Sequence, residues 1–414
     1  MPTESSAGPE VMQFPPPLSP IPYSPGPELR DAMAKCPVTK VKAPDGSAAW
    51  LVTGFNEVRE VLIDPRYSRA LLFAPGQQRW GVDLVAGANT LVALDPPEHG
   101  RLRKLVAGAF TERRIRALQP LIVATVDELI DGMLAGPRPA DLVAAFADQL
   151  PARVICMLLD VPMEDADRFR AWSAALGGDW NRPQEEMLAA FISIGGYMTE
   201  LIARKREAPG DDLMSVLIAA RDSDDKLSET ELIEFCGLLL TGGYETIAHE
   251  LTLSFTALCQ HPEQLDRLRA DPSLIPGAVE EMLRYVMLFS GSAVLGRMTR
   301  EEVCLGGVTI PAGETLIPGV GAANRDPAVF EDPDRLDVAR PPAAHLGFGV
   351  GAHRCLGAQL ARIELQEAYR GLLTRLPGLR VAVPLSEVPF LSGQVVTSVR
   401  ELPVTWDDTR SNEL

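Results

Sequence analysis

The chain is 414 residues long and carries 39 Lys and Arg against 56 Asp and Glu, a formal charge of −17, with 46% hydrophobic residues. That balance excludes an intrinsically disordered chain, a collagen-like one and a protein that holds nucleic acid by bulk positive charge. A compact chain of this length buries roughly three quarters of its extended surface, so a large core is available.

Residues 1–28 hold Pro15, Pro16, Pro17, Pro20, Pro22, Pro25 and Pro27 and little that could form a core. They read as an extended lead-in before a single domain over 29–414. Val38 to Lys42, Asp45-Gly46 and Ala48 to Thr53 predict a short hairpin, because Asp-Gly supplies the positive φ values of a tight turn. Helical periodicity follows, with Ile115, Leu118, Ile122, Leu129 and Met133 on one face, and similar patterns at 152–160, 187–204, 229–258, 274–286 and 356–374. Short strands are expected at Val303 to Ile310, Leu379 to Val383 and Val395 to Val399. The fold class is therefore mainly α with small β-sheets and no internal repeat. Six scattered cysteines without a Cys-x-x-Cys pair, no leader pattern and no apolar run of about 20 residues predict a cytoplasmic protein with no membrane partner.

The most informative segment runs His345-Leu346-Gly347-Phe348-Gly349-Val350-Gly351-Ala352-His353-Arg354-Cys355-Leu356-Gly357 and leads into a helix marked by Leu356, Leu360 and Ile363. A sulfur at a helix start meets unpaired N–H groups and the positive end of the dipole, which favour thiolate. Gly349, Gly351 and Gly357 let a flat, bulky group approach the backbone, and Phe348 offers an aromatic surface beside the sulfur. Upstream, Ser228-Glu229-Thr230-Glu231 is a capping-box pattern opening a long apolar helix. Within that helix, Gly242-Gly243-Tyr244-Glu245-Thr246 weakens the ladder, because Thr246 can bond back to the carbonyl of Gly242.

The cysteine segment resembles the haem-ligand loop of the cytochrome P450 family, Phe-Gly-x-Gly-x-His-x-Cys-x-Gly followed by Leu-Ala-Arg, at every fixed position. The resemblance extends from about residue 30 to Leu402-Pro403-Val404 in the family's order. It implies the P450 fold, with haem b between the oxygen-binding long helix and the cysteine-loop helix, and Cys355 as the thiolate ligand of the iron. It implies that Glu245 and Thr246 are catalytic and deliver protons for oxygen activation beside Gly242. His99 and Arg103, in Asp95-Pro96-Pro97-Glu98-His99-Gly100-Arg101-Leu102-Arg103, match a His-x-x-x-Arg that binds haem propionates, and Arg297 and His353 map to further donors. Glu281-Met282-Leu283-Arg284 resembles a structural Glu-x-x-Arg completed by a downstream arginine, with Arg335 and Arg340 both fitting. Leu288, where relatives often have proline, and Ile247, where a second threonine is frequent, depart from the pattern at positions expected to line the cavity.

No flavin or nicotinamide module is present, so electrons are expected from NAD(P)H through a ferredoxin reductase and a ferredoxin. Arg101, Arg103, Lys104, Arg113, Arg114, Arg354 and Arg362 are expected to form a basic patch that steers an acidic ferredoxin to a monomeric enzyme. Substrate contacts implied by position include Trp80, Leu239, Gly242, Tyr244, Phe289, Val294 and Gln394. Their apolar character suggests a mostly apolar small molecule from bacterial secondary metabolism, hydroxylated or epoxidised by a monooxygenase using O2. Ring formation or aryl coupling without oxygen insertion is an alternative outcome. A cysteine-nucleophile hydrolase or transferase, pairing Cys355 with His353 or His345, is a remote one, and a zinc site built on His353-x-Cys355 is weaker still.

Overall fold

The structure is a computed structural model and describes residues 12–16, 19, 23–43, 45–77, 87, 89–108, 110–177, 183–224, 227–289, 296–391 and 396–408. Helices dominate, and the faces marked by periodicity are the buried ones. On Glu112–Ala135, Ile115, Ile122, Val126, Leu129, Ile130 and Met133 are buried. That helix packs against Ala358–Arg375, where a Cβ on Gly371 would overlap Val126, so the small residue permits close approach. Gln149–Leu159 and Glu245–Gln260 complete this core, with Phe146, Leu150, Leu251, Phe255 and Leu258 all fully enclosed. Each such side chain contributes roughly 1.5–3 kcal/mol on leaving water.

A six-stranded sheet flanks the helices. The predicted hairpin forms two of its strands, Val38–Lys42 and Ala48–Val52, antiparallel with Val38 opposite Val52 and Gly46 at φ 86° in the turn. Thr315–Pro318 and Arg297–Thr299 extend the sheet beyond Ala48–Val52, and this order carries Arg297 to the sheet's inner side, where it is buried.

Four expectations change. The lead-in docks into the fold in its described part: Met12–Gln13 pairs in parallel with Val38–Lys42, while Phe14 and Tyr23 are buried. Two aromatic anchors outweigh the poverty of the surrounding proline-rich sequence. Val303 to Ile310 is a hairpin, Val303–Leu305 with Val308–Ile310, because Gly306 and Gly307 both take positive φ and turn the chain. The long oxygen-side helix is two helices, Glu229–Gly242 and Glu245–Gln260, parted at Gly243 and Tyr244. Finally, among the described residues one helix, Gln184–Glu207, is long and apolar enough by length and composition to cross a membrane. Its Ile194, Tyr197, Met198, Leu201 and Ile202 are buried, and it packs on Ala166–Gly177 and Glu229–Gly242.

Candidate active site

The cysteine loop is closed by its own backbone. The Gly349 amide donates to the Leu346 carbonyl at 2.8 Å and the Cys355 amide to the Phe348 carbonyl at 2.8 Å. Gly349 and Gly351 take φ of 64° and 77°, and a Cβ on Gly351 would stand 2.7 Å from the Leu62 carbonyl oxygen, so glycine is required there. The following helix, Ala358–Arg375, begins later than the sequence suggests, with Gly357 as its cap. Cys355 thus lies before the helix, and the Gly357 amide is the backbone group that reaches its sulfur. Cys355 is exposed in the loop. Burial dominates and leaves its thiol raised, against the opposing pull of the Gly357 N–H and the charges of Arg103, Arg354 and Arg362. A Cβ on Gly357 or on Gly242 would meet nothing within 4 Å, so both glycines look onto open space.

Beside this space lies a cluster of cationic and donor side chains. His99, on Glu98–Ala107, is buried, and its ring lies tilted by 41° against that of His353 with centroids 4.2 Å apart. The Nε2 atoms of both rings are buried without a partner among the described residues. Burial, then Arg297, His99, Arg69 and Arg103 hold the His353 ring down at about 2. Burial and Arg103 likewise lower His99. Asp95, the neighbouring acid, is already engaged by the Ser68 hydroxyl, the Arg69 amide at 2.9 Å and Arg300 at 2.6 Å. Two buried ring nitrogens without a partner among the described residues, set among the charges of Arg103 and Arg297, suit an anionic group. The two propionates of haem fit, and so does a thiolate facing open, glycine-lined space. All four sequence-identified donors, His99, Arg103, Arg297 and His353, are brought together. Arg69 was missed: it is 1% exposed, bonded to the carbonyls of Val92 and Gly296, and nothing in its local sequence separates it from a surface arginine.

Thr246 donates to the Gly242 carbonyl at 3.0 Å, the back-bond expected from sequence, and Ser228 with Glu231 forms the full capping box. Glu245 opens the second helix, half-buried. Leu239 and Gly242, three apart, share a face of the first. Tyr244 does not join them. Its ring is buried and its hydroxyl bonds Asp148, whose carboxyl burial pushes up to about 6, with Arg170 nearby. A Cβ on adjacent Gly243 would meet Ile155 at 3.1 Å. The break in the helix turns these two residues toward Gln149–Leu159, so Tyr244 anchors the kink and is removed from the substrate contacts. Ile247 is also buried in the helical core. Phe289 is half-buried and borders a small void with Leu29, Leu51 and Met287 on the sheet side. Trp80, Val294 and Gln394 lie outside the described residues.

The brace is resolved in favour of Arg340. Glu281 accepts from Arg284 Nε at 2.7 Å and Nη2 at 2.8 Å, and from Arg340 Nε at 3.0 Å, whereas Arg335 contributes only its carbonyl. Arg284 Nη1 donates to the Asn324 carbonyl, and Asn324 Oδ1 accepts from the Leu346 amide at 2.8 Å. Through this chain the brace reaches the start of the cysteine loop. His345 Nε2 lies 3.1 Å from Glu280 and its Nδ1 accepts from the Gly347 amide. It is therefore occupied elsewhere and cannot serve Cys355 as a base. His353, so strongly held neutral, is a poor base as well. Among the described residues no three His, Cys, Asp or Glu side chains converge as a zinc site would need.

The basic patch is partly cancelled. Arg101 pairs with Glu231, Arg362 with Glu280, and Arg114 lies 4.0 Å from Asp211. Arg103 donates to the Arg354 carbonyl at 2.6 Å. Lys104, Arg113 and Arg354 are exposed with no carboxylate partner among the described residues.

The family profile described as Cytochrome P450 matches residues 179–377. The mycinamicin IV hydroxylase/epoxidase of Micromonospora griseorubida is 47% identical over 370 residues, covering 89% of this chain and 92% of that protein. The nocardicin C N-oxygenase of Nocardia uniformis subsp. tsuyamanensis is 46% identical, covering 90% and 93%. Among solved structures, the LnmA cytochrome P450 hydroxylase from the leinamycin biosynthetic pathway of Streptomyces atroolivaceus S-140 superposes with a TM-score of 0.87 at 42% identity, over 96% of this chain and all of that one.

Proposed function

This chain belongs to the cytochrome P450 family, and from that premise we propose how its own residues divide the work and what they act on. It is a haem-thiolate monooxygenase that takes electrons from an external donor and oxidises a small molecule with O2. The observation that carries the site assignment is the pair of buried ring nitrogens without a partner among the described residues, His99 Nε2 and His353 Nε2, gathered with Arg103 and the buried Arg297 near Cys355.

Haem bound here supplies an iron centre at which O2 is activated, with the sulfur lending it electron density. Cys355 Sγ would hold the haem iron, positioned by the Gly357 amide and by the backbone closure at Phe348. His99, Arg103, Arg297 and His353 would donate to the propionates, and the Phe348 ring would shield the sulfur from water. Thr246 holds a proton at Oγ1 next to the opened turn at Gly242, and the Glu245 carboxylate, beside it in sequence, recharges that route from the protein side. Thr246→Ala keeps its haem but diverts reducing equivalents to peroxide. Product formed per NAD(P)H falls by on the order of tenfold or more, given that a positioned proton donor is commonly worth about 10²–10⁴ in rate. Peroxide and product assays under limiting NAD(P)H check this, and tight coupling in the variant refutes the assigned route.

The substrate is a large, mostly apolar product of bacterial secondary metabolism, hydroxylated or epoxidised near Leu239 and Gly242. The relatives that act on mycinamicin IV and nocardicin C support this class. A spectral screen of macrolides, terpenoids and modified peptides is expected to yield ligands that shift the ferric spin state. A response confined to small polar acids overturns the assignment.

Electrons arrive from NAD(P)H through a ferredoxin reductase and a ferredoxin that docks on Lys104, Arg113 and Arg354, the cations of the patch left without acidic partners among the described residues. The enzyme works as a cytoplasmic monomer. Reversing Lys104 and Arg113 to Glu slows ferredoxin-driven reduction by on the order of tenfold at low salt, and the gap narrows as salt screens the surface. Stopped-flow rates that are equal at low ionic strength refute this docking site.

A further inference from the structure

Glu280, the neighbour of the braced Glu281, belongs to a separate arrangement. Its carboxylate receives Arg362 through Nε at 2.6 Å and Nη2 at 2.8 Å, a two-pronged pair, and lies 3.1 Å from His345 Nε2. His345 stands ten residues before Cys355, at the entry to the loop, and Arg362 stands seven after it, on the helix that leaves the loop. The Arg362 guanidinium also lies 4.6 Å from the ring centroid of Phe348, the residue whose carbonyl receives the Cys355 amide, and the His345 ring lies 6.1 Å from the same ring. The group is largely enclosed: side-chain exposures are 6% for His345, 20% for Arg362 and 28% for Glu280. Burial works upward on the Glu280 carboxyl, yet Arg362 and His345 hold it down at about 2, so it is ionised at any working pH. Arg362 Nη1 also reaches back to the Ala358 carbonyl at 3.5 Å, which places its charge at the head of the helix, three residues beyond Cys355.

We propose that Glu280 is a positioning residue that fixes the cysteine loop from both flanks and, through Arg362, sets how much positive potential the Cys355 sulfur feels. Gaining an electron adds negative charge to the haem and its thiolate. A guanidinium without its counter-ion therefore favours the reduced state, and removing the guanidinium favours the oxidised one. A purely mechanical clamp has no such sign.

The test compares the ferric/ferrous potential of wild-type holoenzyme with Glu280→Gln, Arg362→Gln and the double variant, alongside the reduced carbon-monoxide spectrum. Glu280→Gln is expected to raise the potential, Arg362→Gln to lower it, and the double variant to return close to wild type, since charge and counter-charge leave together. The long-wavelength Soret band of thiolate ligation persists in all three. His345→Gln, which spares the Glu280–Arg362 pair, leaves the potential in place and keeps the inference testable if Glu280→Gln folds poorly; a shift there as large as in Arg362→Gln overturns it. Shifts of the same sign in the two single variants, no shift in either, or loss of the band in both also overturn it. The inference rests on Cys355 as the haem ligand, which the wild-type band tests separately: its absence from wild type refutes the site, not the clamp.

Discussion

Cys355→Ser abolishes oxidation and removes the long-wavelength Soret band from the dithionite-reduced, carbon-monoxide-treated protein. A serine hydroxyl stays protonated under conditions where this sulfur, facing the Gly357 amide and the charges of Arg103, Arg354 and Arg362, gives up its proton to a metal. The loop itself survives, because its closure runs through the Cys355 amide to the Phe348 carbonyl at 2.8 Å and through the turns at Gly349 and Gly351, none of which needs the sulfur. Far-ultraviolet circular dichroism should therefore match wild type while the haem signature and product formation are lost together. Wild-type protein, reconstituted and freshly reduced, must show the band; if it does not, Cys355 is not the ligand.

Glu281→Gln is the most damaging change expected outside the sulfur. Glu281 and Arg284 are each 2% exposed, and four donors converge on the carboxylate: Arg284 Nε and Nη2, Arg340 Nε and the Asp337 amide at 3.1 Å. Neutralising the acid leaves two guanidiniums facing an amide that returns no charge. Breaking one side of a buried pair costs about 3–5 kcal/mol, a large part of the roughly 5–15 kcal/mol by which a native chain is stable. The damage also reaches the site, because Arg284 holds the Asn324 carbonyl and Asn324 holds the Leu346 amide at the head of the cysteine loop. The expected result is a denaturation midpoint far below wild type, with haem lost early in the transition. The control is Glu112→Gln, whose partner Arg116 shares a 2.8 Å pair at the surface; it should stay within about 1 kcal/mol of wild type. Equal midpoints for Glu281→Gln and Glu112→Gln would refute the brace.

The amino-acid sequence alone determined what depends on neighbours a few positions away. The hairpin at Asp45-Gly46, the capping box at Ser228, the buried face of Glu112–Ala135, the back-bond from Thr246 to Gly242 and the glycine spacing around Cys355 all follow from local turn chemistry and periodicity. Those rules act within one or two helical turns, so they are legible along the chain. Only the tertiary structure decided the rest. It chose Arg340 over Arg335, turned Tyr244 toward Asp148, brought Arg69 into the cluster around His353, and paired Arg101 and Arg362 with acids that a linear reading leaves far off. In each case the outcome depends on which carbonyl, carboxylate or apolar wall lies across from the side chain in space. Glu280 and Arg362 are 82 positions apart, and Arg101 and Glu231 are 130 apart. A charged side chain has the same local sequence signature whether it faces water or a buried partner, because the cost of its desolvation and the ion that offsets it come from elements folded in from elsewhere.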